Sequence, residues 1–434
     1  MRPTRRTLRL WGAVLGLAVL VGFFPALRQP WLVVVLVAGT ILAIDALRAR
    51  ALPLPKVVRK VPHALALGAW TEVHLRVEGP GSHALTVDVH DFHPPQCQTR
   101  DLPLQVALVP GQWREMAYRL KPVTRGDLTF GKTQVLLGSP FGFWHRSAMV
   151  GEPSEVRVYP NFQAVAKYTL LATHQRLSQL GIHRRQRRGE GREFHQLREF
   201  VQGDSMRQID WKASSRMRKL ISREHQDERN QQVVFLMDCG QTMRTQDGQL
   251  SHFDHALNAV LLMTHVALRH GDAVGLMTFS GGRRWLAPRK GAPQLNLILD
   301  RIYDIQPGHE TSDFLGVAQQ VLRHVRKRSL IVLITNLRDE DDGELLPALQ
   351  LLRRKHLVLV ASMREQVLDE VVEGSVTDLE SGLRLAATHL YMADREQIYQ
   401  QLKQKNVLSL DVTPEMLPVS MINSYLEVKG SGLL

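Results

Sequence analysis

Residues 126–133 match the phosphate-binding pattern GxxxxGK[ST]. A phosphate cradle of this kind needs a helix that begins at the Lys-Thr pair, because the free N–H groups and the dipole of that helix face the phosphates. Here only residues 134–137 follow before Gly138-Ser139-Pro140, which predicts a strand and a turn instead of a helix. We therefore expect no bound nucleotide.

Two other sets of residues are of reactive types. His90, His93 and Cys97 could bind zinc, but no fourth ligand follows at a standard spacing, so we interpret them as solvated loop residues. Cys239 could be a nucleophile, yet no base accompanies it, and a small, partly buried thiol is the interpretation we favour. No local motif combines a nucleophile, a base and an orienting group. The chain is therefore not predicted to be an enzyme, and an uncharacterised hydrolase is one alternative.

The elements that could position a site lie in residues 231–434, where strands and helices alternate. Ser251 is a helix cap, and Gly271 is the stop of the same helix. This rhythm predicts an α/β doubly wound domain with a mostly parallel sheet. Ligands of such sheets bind beyond the carboxyl ends of the strands, so the residues that follow the first strand are the best candidates for a site.

The sequence DCGQT at residues 238–242 follows that first strand. It resembles the DxSxS pattern of a metal-ion-dependent adhesion site, in which a carboxylate and two hydroxyls bind a hard divalent cation. Asp238 and Thr242 match the pattern, whereas Gly240 lacks the first hydroxyl. The resemblance implies a degenerate site for Mg²⁺ or Mn²⁺. The alternative is that Asp238 only hydrogen-bonds the neighbouring loops and leaves a binding face without metal.

Two further loops complete this resemblance. Residues 308–313 offer the hydroxyl of Thr311 or Ser312, and Asn336 lies where the pattern has an aspartate, so one negative charge is lost. The candidate metal ligands are thus Asp238, Thr242, Ser312, Thr311 and Asn336. The candidate protein-binding residues of the same loops are Gly240, Gln241 and Asp313.

The net charge of +13 is concentrated in two segments. Residues 1–60 carry ten Lys/Arg against one acid, and residues 176–229 carry fourteen against eight. The first segment contains two apolar runs, residues 8–27 and 31–47, each long enough to cross most of a hydrocarbon layer about 30 Å thick. We predict a transmembrane helical hairpin over residues 1–50, with a cleavable signal peptide as the alternative.

The positions of the basic residues predict the topology of this hairpin. They precede and follow the two runs, while the loop between them holds only Arg28. Both termini and the soluble domains are therefore predicted to be cytoplasmic, at a bacterial-type inner (cytoplasmic) membrane. Residues 51–172 alternate apolar and polar side chains between Gly and Pro turns, which predicts a small all-β, sandwich-like module. Two cysteines are too few for a disulfide framework.

A basic connector is predicted over residues 173–230, and a dense motif lies within it. The residues of this motif are Gly191, Arg192, Glu193, Phe194, Arg198, Gly203, Asp204, Arg207, Asp210, Trp211, Lys212 and Arg216. They strongly resemble the signature of the domain of unknown function 58 family. The likeness extends to residues 125–126, 139–142 and 423–426, and so covers most of the chain after the hairpin.

The resemblance implies a von Willebrand factor A-like domain in residues 231–434, on a multidomain membrane-anchored protein. It also implies association with MoxR-type AAA+ ATPases and no established enzymatic activity. We therefore expect an adapter that assists the assembly or maturation of other proteins. In the alternative function the basic connector binds nucleic acid or anionic lipid, because arginines neutralise phosphates. Nucleic acid is the less favoured of these, since few aromatic residues are interleaved with the arginines of residues 184–188.

Overall fold

The computed structural model describes residues 1–24, 27–80, 85–161, 193–201, 206, 209–226, 231–338 and 342–433. Contacts divide the chain into two units, residues 1–159 and residues 160–434. The first unit combines two apolar helices with a β module. The second unit contains a β-hairpin and a mixed α/β sheet.

The two N-terminal helices are α1 (Arg5–Phe23) and α2 (Arg28–Ala51). Both are long and apolar enough to cross a membrane, and most of their side chains are exposed. The first begins three residues before the predicted apolar run, because Thr4 caps it by accepting a hydrogen bond from the backbone N–H of Thr7. Arginine is a good helix former, so the basic flanks continue the helices beyond the apolar runs.

The β module is built from short strands that form three sheets. The strands of the first unit are β1 (Arg2–Pro3), β2 (Lys56–Lys60), β3 (Ala64–Ala66), β4 (Thr71–Glu78), β5 (Leu85–Asp91), β6 (Cys97–Arg100), β7 (Leu104–Leu108), β8 (Trp113–Pro122), β9 (Gly126–Phe130), β10 (Thr133–Gly138), β11 (Trp144–Val150) and β12 (Ser154–Tyr159). The sheet orders are β1-β11-β10-β5-β7, β2-β4-β8-β6 and β3-β12-β9. All pairs are antiparallel except β3 with β12.

The alternating pattern of the module is explained by its core. Val73, Leu75 and Val77 of β4 are fully buried, and the residues between them are not. The GxxxxGK[ST] stretch consists of β9, the two connecting residues 131–132 and the first residue of β10, so a strand follows it instead of a helix. The hydroxyl of Thr133 instead donates to the buried carboxylate of Asp91 at 2.9 Å.

Asp45 joins α2 to the module. Its carboxylate is fully buried and accepts hydrogen bonds from the Ser139 hydroxyl at 2.6 Å, the Phe141 N–H at 3.0 Å and the Phe143 N–H at 3.2 Å. The indole N–H of Trp144 donates to the carbonyl of Leu42, one turn earlier on α2, at 3.0 Å. Since a buried carboxylate is costly unless it is bonded, the loop of residues 139–143 is the partner that permits an aspartate here.

The second unit begins with a hairpin and continues into the α/β sheet. Its strands are β13 (Glu193–Glu199), β14 (Ile221–Gln226), β15 (Gln232–Asp238), β16 (Gln246–Asp247), β17 (Leu250–Ser251), β18 (Ala273–Phe279), β19 (Trp285–Arg289), β20 (Leu330–Thr335), β21 (Leu357–Met363) and β22 (Leu408–Val412). Its helices are α3 (Trp211–Met217), α4 (His252–Arg269), α5 (Pro293–Ile302), α6 (Phe314–His324), α7 (Asp342–Arg353), α8 (Gln366–Glu373), α9 (Leu379–Gln404) and α10 (Leu417–Ser431).

The large sheet of this unit has six strands in the order β19-β18-β15-β20-β21-β22. All neighbours are parallel except the edge strand β19, which runs antiparallel to β18. Alternate residues of β15 enter two separate cores, with Val233 and Phe235 in one and Val234 and Leu236 in the other. Helices α4, α5 and α10 contribute to the first core, while α6, α7 and the end of α9 contribute to the second. Helices therefore cover both faces of the sheet.

Candidate functional site

The carboxyl ends of the parallel strands lie at one edge of the sheet, and Asp238 is the last residue of β15 there. Oδ1 of Asp238 accepts a hydrogen bond from the backbone N–H of Gly240 at 2.8 Å. Its Oδ2 accepts from the hydroxyls of Ser312 at 2.6 Å and Thr335 at 2.7 Å. Asp238 thus ties together three segments that are distant in sequence.

Burial governs the electrostatics of this aspartate. Desolvation raises the pKa of Asp238 above its ordinary value, and the bonds from Ser312, Thr335 and the Gly240 N–H oppose that rise. The carboxylate is fully buried, so the protein must supply the donors that water would otherwise provide. Hydrogen bonds to a carboxylate are among the stronger ones, so these bonds hold the loops of Gly240, Ser312 and Thr335 together.

Backbone contacts close the same two loops. The Gly308 N–H donates to the Cys239 carbonyl at 2.7 Å, and the Gln241 N–H donates to the Glu310 carbonyl at 3.0 Å. A Cβ at Gly240 would lie 2.8 Å from the Glu310 carbonyl oxygen. A serine, the residue of the DxSxS pattern, does not fit at residue 240 unless the loop moves.

The other predicted site residues differ in their exposure. Thr242 is buried in a short 3₁₀-helix, Gln241–Arg244, and its hydroxyl has no hydrogen-bond partner among the described residues. Gln241 and Thr311 are exposed. Asp313 caps α6 by accepting from the Gly316 N–H at 2.7 Å. The structure therefore brings Asp238 and Ser312 into direct contact, and places Gln241 and Thr311 on the surface of the same loops.

Asn336 belongs to a neighbouring polar cluster. Its Nδ2 donates to the Glu365 carboxylate at 3.0 Å, and its Oδ1 accepts from the Arg395 guanidinium at 3.3 Å. Arg395 also donates to Asp411 at 2.7 Å and to the backbone carbonyls of residues 337 and 363. Sequence reasoning missed this arginine. The available signal was an arginine three residues before Ile398 on the buried face of a long helix.

The oxygen atoms available around Asp238 fit a divalent cation poorly. Mg²⁺ in proteins is bound through carboxylates together with waters or phosphates, and here one carboxylate is present whose two oxygens already accept three protein donors. The amide oxygen of Asn336 is engaged by Arg395. Within the part of the chain that the structure describes, no group of three His, Cys, Asp or Glu could hold a metal ion. The arrangement fits a hydrogen-bonded carboxyl group better than a metal ligand.

His90, His93 and Cys97, which we considered as zinc ligands, lie on or between strands β5 and β6. His90 lies in β5 opposite Gln134, and Cys97 is buried at the start of β6. Desolvation raises the pKa of the Cys97 thiol to about 11. The ring nitrogens of His93 lie 3.0 Å from the Pro94 carbonyl and 3.3 Å from the Thr99 hydroxyl. His90 and Cys97 are therefore strand residues, whereas His93 lies in the loop between β5 and β6 as expected.

The connector motif is only partly within the described residues. Gly191, Arg192, Gly203, Asp204, Arg207 and the arginines of residues 184–188 lie outside them. Glu193, Phe194 and Arg198 belong to β13, which pairs with β14. Asp210 caps α3 by accepting from the N–H groups of residues 212 and 213, both at 3.0 Å. Trp211, Lys212 and Arg216 of α3 are exposed. The motif thus builds a hairpin with a short capped helix between its strands.

The chain is similar to several known proteins over part of its length. It is 25% identical over 164 residues to the uncharacterized protein YeaD of Bacillus subtilis (strain 168), a match that covers 37% of this chain and 38% of that protein. The chain therefore spans well under half of that relative. Among solved structures, native alpha-2-macroglobulin of Escherichia coli, spanning domain MG7 to the C-terminus, matches at 15% identity and a TM-score of 0.22, over 25% of this chain and 17% of that one.

A cohesin module from a Clostridium perfringens glycoside hydrolase matches at 15% identity and a TM-score of 0.17, over 25% of this chain and 98% of that one. Scores this low carry no argument about fold or function. The family comparison is the informative one. It covers the β-hairpin from the middle of β13 through β14, and most of the α/β sheet. Residues 196–407 match the family model described as Protein of unknown function DUF58.

Proposed function

We propose that this chain is a membrane-anchored adapter whose α/β domain is von Willebrand factor A-like and binds a protein partner in the cytoplasm. The partner is a MoxR-type AAA+ ATPase, and the pair assists the assembly or maturation of other proteins. The observation that carries the proposal is the pair of loops closed by Asp238, which holds exposed Gln241, Glu310 and Thr311 on a fixed surface at the ligand-binding edge of the sheet.

The topology of the sheet supports the domain assignment. Five parallel strands with one antiparallel edge strand, covered by helices on both faces, are the arrangement that the resemblance implies. The DUF58 match extends over residues 196–407 and so includes both loops of the face. The apolar helices α1 and α2 support the anchor.

In this proposal the loop surface that carries Gln241, Glu310 and Thr311 binds its partner without a metal. Gly240 and Asn336, the two departures from the adhesion-site pattern, are each explained by protein contacts: the Glu310 carbonyl lies against Gly240, and Arg395 engages Asn336. The interpretation of residues 238–242 as a Mg²⁺ or Mn²⁺ site stays a prediction. Calorimetry of the full-length protein with millimolar Mg²⁺ or Mn²⁺ tests it, and we expect no heat of binding.

A matched variant makes the calorimetry informative. Gly240→Ser with Asn336→Asp gives the chain the residue types of the pattern, and the loop of residues 308–313 has to move to admit the serine. If this double variant binds Mg²⁺ and the natural chain does not, the natural face is metal-free. Heat from the natural chain that disappears in Asp238→Asn would instead establish a metal centre.

The partner is tested by affinity purification of the tagged full-length protein from detergent-solubilised native membranes, with and without Mg²⁺. We expect mass spectrometry to identify an AAA+ ATPase under both conditions. Gln241→Arg with Thr311→Arg changes only exposed side chains and should lower its recovery at least tenfold. Lys327→Glu, placed just before β20 at the opposite edge of the sheet, is the control and should leave recovery unchanged. Equal recovery from all three proteins would exclude the loop face as the contact.

A further inference from the structure

Helix α8 and the first half of α9, residues 366–390, form an arm at the carboxyl edge of the sheet. The arm begins three residues after β21, and no residue of α8 is buried. The second half of α9 is embedded, because Arg395, Ile398 and Leu402 are buried. A single 26-residue helix therefore has an anchored half and a solvent-exposed half.

The exposed half carries apolar side chains on its outer face. Leu379, Leu383 and Leu390 are 80%, 62% and 69% exposed, and with exposed Ala386 they are spaced by four, three and four residues. That spacing puts them on one side of a helix. The buried residues Thr388 and Arg395 follow the outermost leucines by nine and five residues, about half a turn out of phase, so the leucines face away from the domain.

Further exposed apolar side chains lie on α8 and in the turn after it. Val367, Val372 and Val376 are 56%, 37% and 54% exposed. Burial of apolar surface contributes about 25 cal/mol per Å², so six large aliphatic side chains left in water forgo a substantial stabilisation. Contiguous exposed apolar surface on a folded domain marks an interaction site.

The base of the arm is fixed. The Arg395 guanidinium donates to the carbonyl of Leu337, which follows β20, to the carbonyl of Met363, which ends β21, and to the carboxylate of Asp411 within β22. Asp378 caps α9 through a capping box with Ser381. The leucines are therefore presented on a helix with both a cap and an anchor, which lowers the entropy that a partner has to remove on binding.

The charge of the arm indicates which kind of partner can bind to it. Residues 366–390 contain five carboxylates and one arginine. Asp369 pairs with Arg364 at 3.0 Å, Glu380 pairs with Arg384 at 2.5 Å and Asp378 caps α9, so the exposed Glu370 and Glu373 of α8 are the carboxylates offered to a partner. An acidic surface is repelled by anionic lipid headgroups and by a second copy of itself. We propose that the arm docks a basic amphipathic helix of a partner protein, with leucine-type side chains against the stripe and Lys or Arg against the carboxylates. This contact is separate from the loop face at Asp238.

Site-specific photo-crosslinking of the full-length protein in its native membranes tests the arm. A p-benzoylphenylalanine is placed at residue 383, and the control places it at Leu220, a leucine that is 50% exposed outside the arm. We expect residue 383, and not residue 220, to crosslink to a protein segment that is basic and has apolar residues at helical spacing. Sequencing of the crosslinked peptide reads this chemistry directly.

A charge reversal supplies the second readout. Glu370→Lys with Glu373→Lys changes two exposed residues of α8. This change should lower the crosslink at residue 383 at least tenfold, while Gln241→Arg with Thr311→Arg leaves it unchanged. Crosslinks to lipid, to a second copy or to an acidic segment would overturn the proposal, as would the absence of any crosslink or an unchanged yield after charge reversal.

Discussion

Protein donors take the place of water at Asp238, among them the Gly240 N–H and the hydroxyls of Ser312 and Thr335. The two hydroxyls donate to Oδ2 and the Gly240 N–H donates to Oδ1. An asparagine can reproduce this set, because its Nδ2 can donate to two hydroxyl oxygens while its Oδ1 accepts from Gly240. Alanine leaves the N–H and both hydroxyls without that partner.

We expect Asp238→Ala to destabilise the α/β sheet by about 2–4 kcal/mol, because it strands buried polar groups. The thermal midpoint should fall by roughly 4–12 °C. Asp238→Asn should stay within about 1 kcal/mol of the natural chain, since hydroxyls accept as readily as they donate. Differential scanning fluorimetry of both variants checks this, and an asparagine variant as unstable as the alanine variant would show that the charge itself holds the loops.

His356 is a second buried polar residue with a measurable consequence. It lies just before β21, and neither ring nitrogen has a hydrogen-bond partner among the described residues. Desolvation, with Lys355 adding to it, lowers the pKa of His356 to about 4. As the pH falls below about 6.5, His356 is therefore protonated in the unfolded chain before it is protonated in the folded chain. The stability that neutral His356 provides is present above that pH and is lost between about 6.5 and 4.

His356→Leu removes this titration. Relative to the variant, the natural chain should lose about 2 kcal/mol between pH 7.5 and pH 5, because the unfolded histidine is protonated and the folded one is not. We expect the thermal midpoint of the natural chain to fall by roughly 4–8 °C more than that of His356→Leu over this range. Parallel pH dependences of the two proteins would contradict the assignment.

At the scale of elements, continuous apolar runs made the central strands predictable. The apolar runs at residues 233–237, 273–279 and 330–334 predict three strands. β18 has the bounds of its run, β15 is longer by one residue at each end, and β20 is longer by one residue at its carboxyl end. The edge strand β19 was not predicted, because its five residues, Trp285–Arg289, include a proline and one side faces no neighbour. The hairpin of β13 and β14 was also missed, since its polar sequence has no period and its pairing contains a bulge.

The candidate site was likewise predictable only in part. Asp238 and Ser312 were predictable from position, because the carboxyl ends of parallel strands meet at one edge. The reason for Gly240 was not, since it depends on the carbonyl of Glu310 on another loop. The contact of Asn336 with Arg395 was not predictable from the pattern either, because Arg395 lies 59 residues further along the chain.

The junction of α2 with the β module is an element-scale contact that can be tested. Asp45→Ala removes the acceptor for the N–H groups of Phe141 and Phe143. Loss of a charged hydrogen bond costs about 1.5–3 kcal/mol, so exchange of these amides should accelerate about 10–100-fold. Hydrogen–deuterium exchange of a peptide covering residues 139–146 measures it. Thr40→Val, which alters an exposed hydroxyl of the same helix, should leave the exchange unchanged.

At the scale of the whole molecule, the topology of the hairpin is the main prediction. Both native cysteines are buried, and desolvation raises the pKa of Cys97 to about 11, so background labelling by maleimide should be low. Gln29→Cys, in the first turn of α2 and between the two apolar runs, should react with a membrane-impermeant maleimide added outside intact cells or spheroplasts. Glu155→Cys, an exposed residue of β12, should react only after permeabilisation. The reverse pattern would place the β module outside.

The pairing of β1 with β11 links that topology to the order of folding. Arg2 lies opposite His145 and Pro3 opposite Trp144, so the first strand to be synthesised is completed only after the chain has been made to residue 145. Both apolar helices leave the ribosome in that interval and can insert before the sheet closes. Until it closes, β11 has an open edge of the kind that favours aggregation. Insertion of only one of the two helices would leave residues 2–3 across the bilayer from β11, so incomplete insertion becomes an unfinished sheet that proteases can recognise.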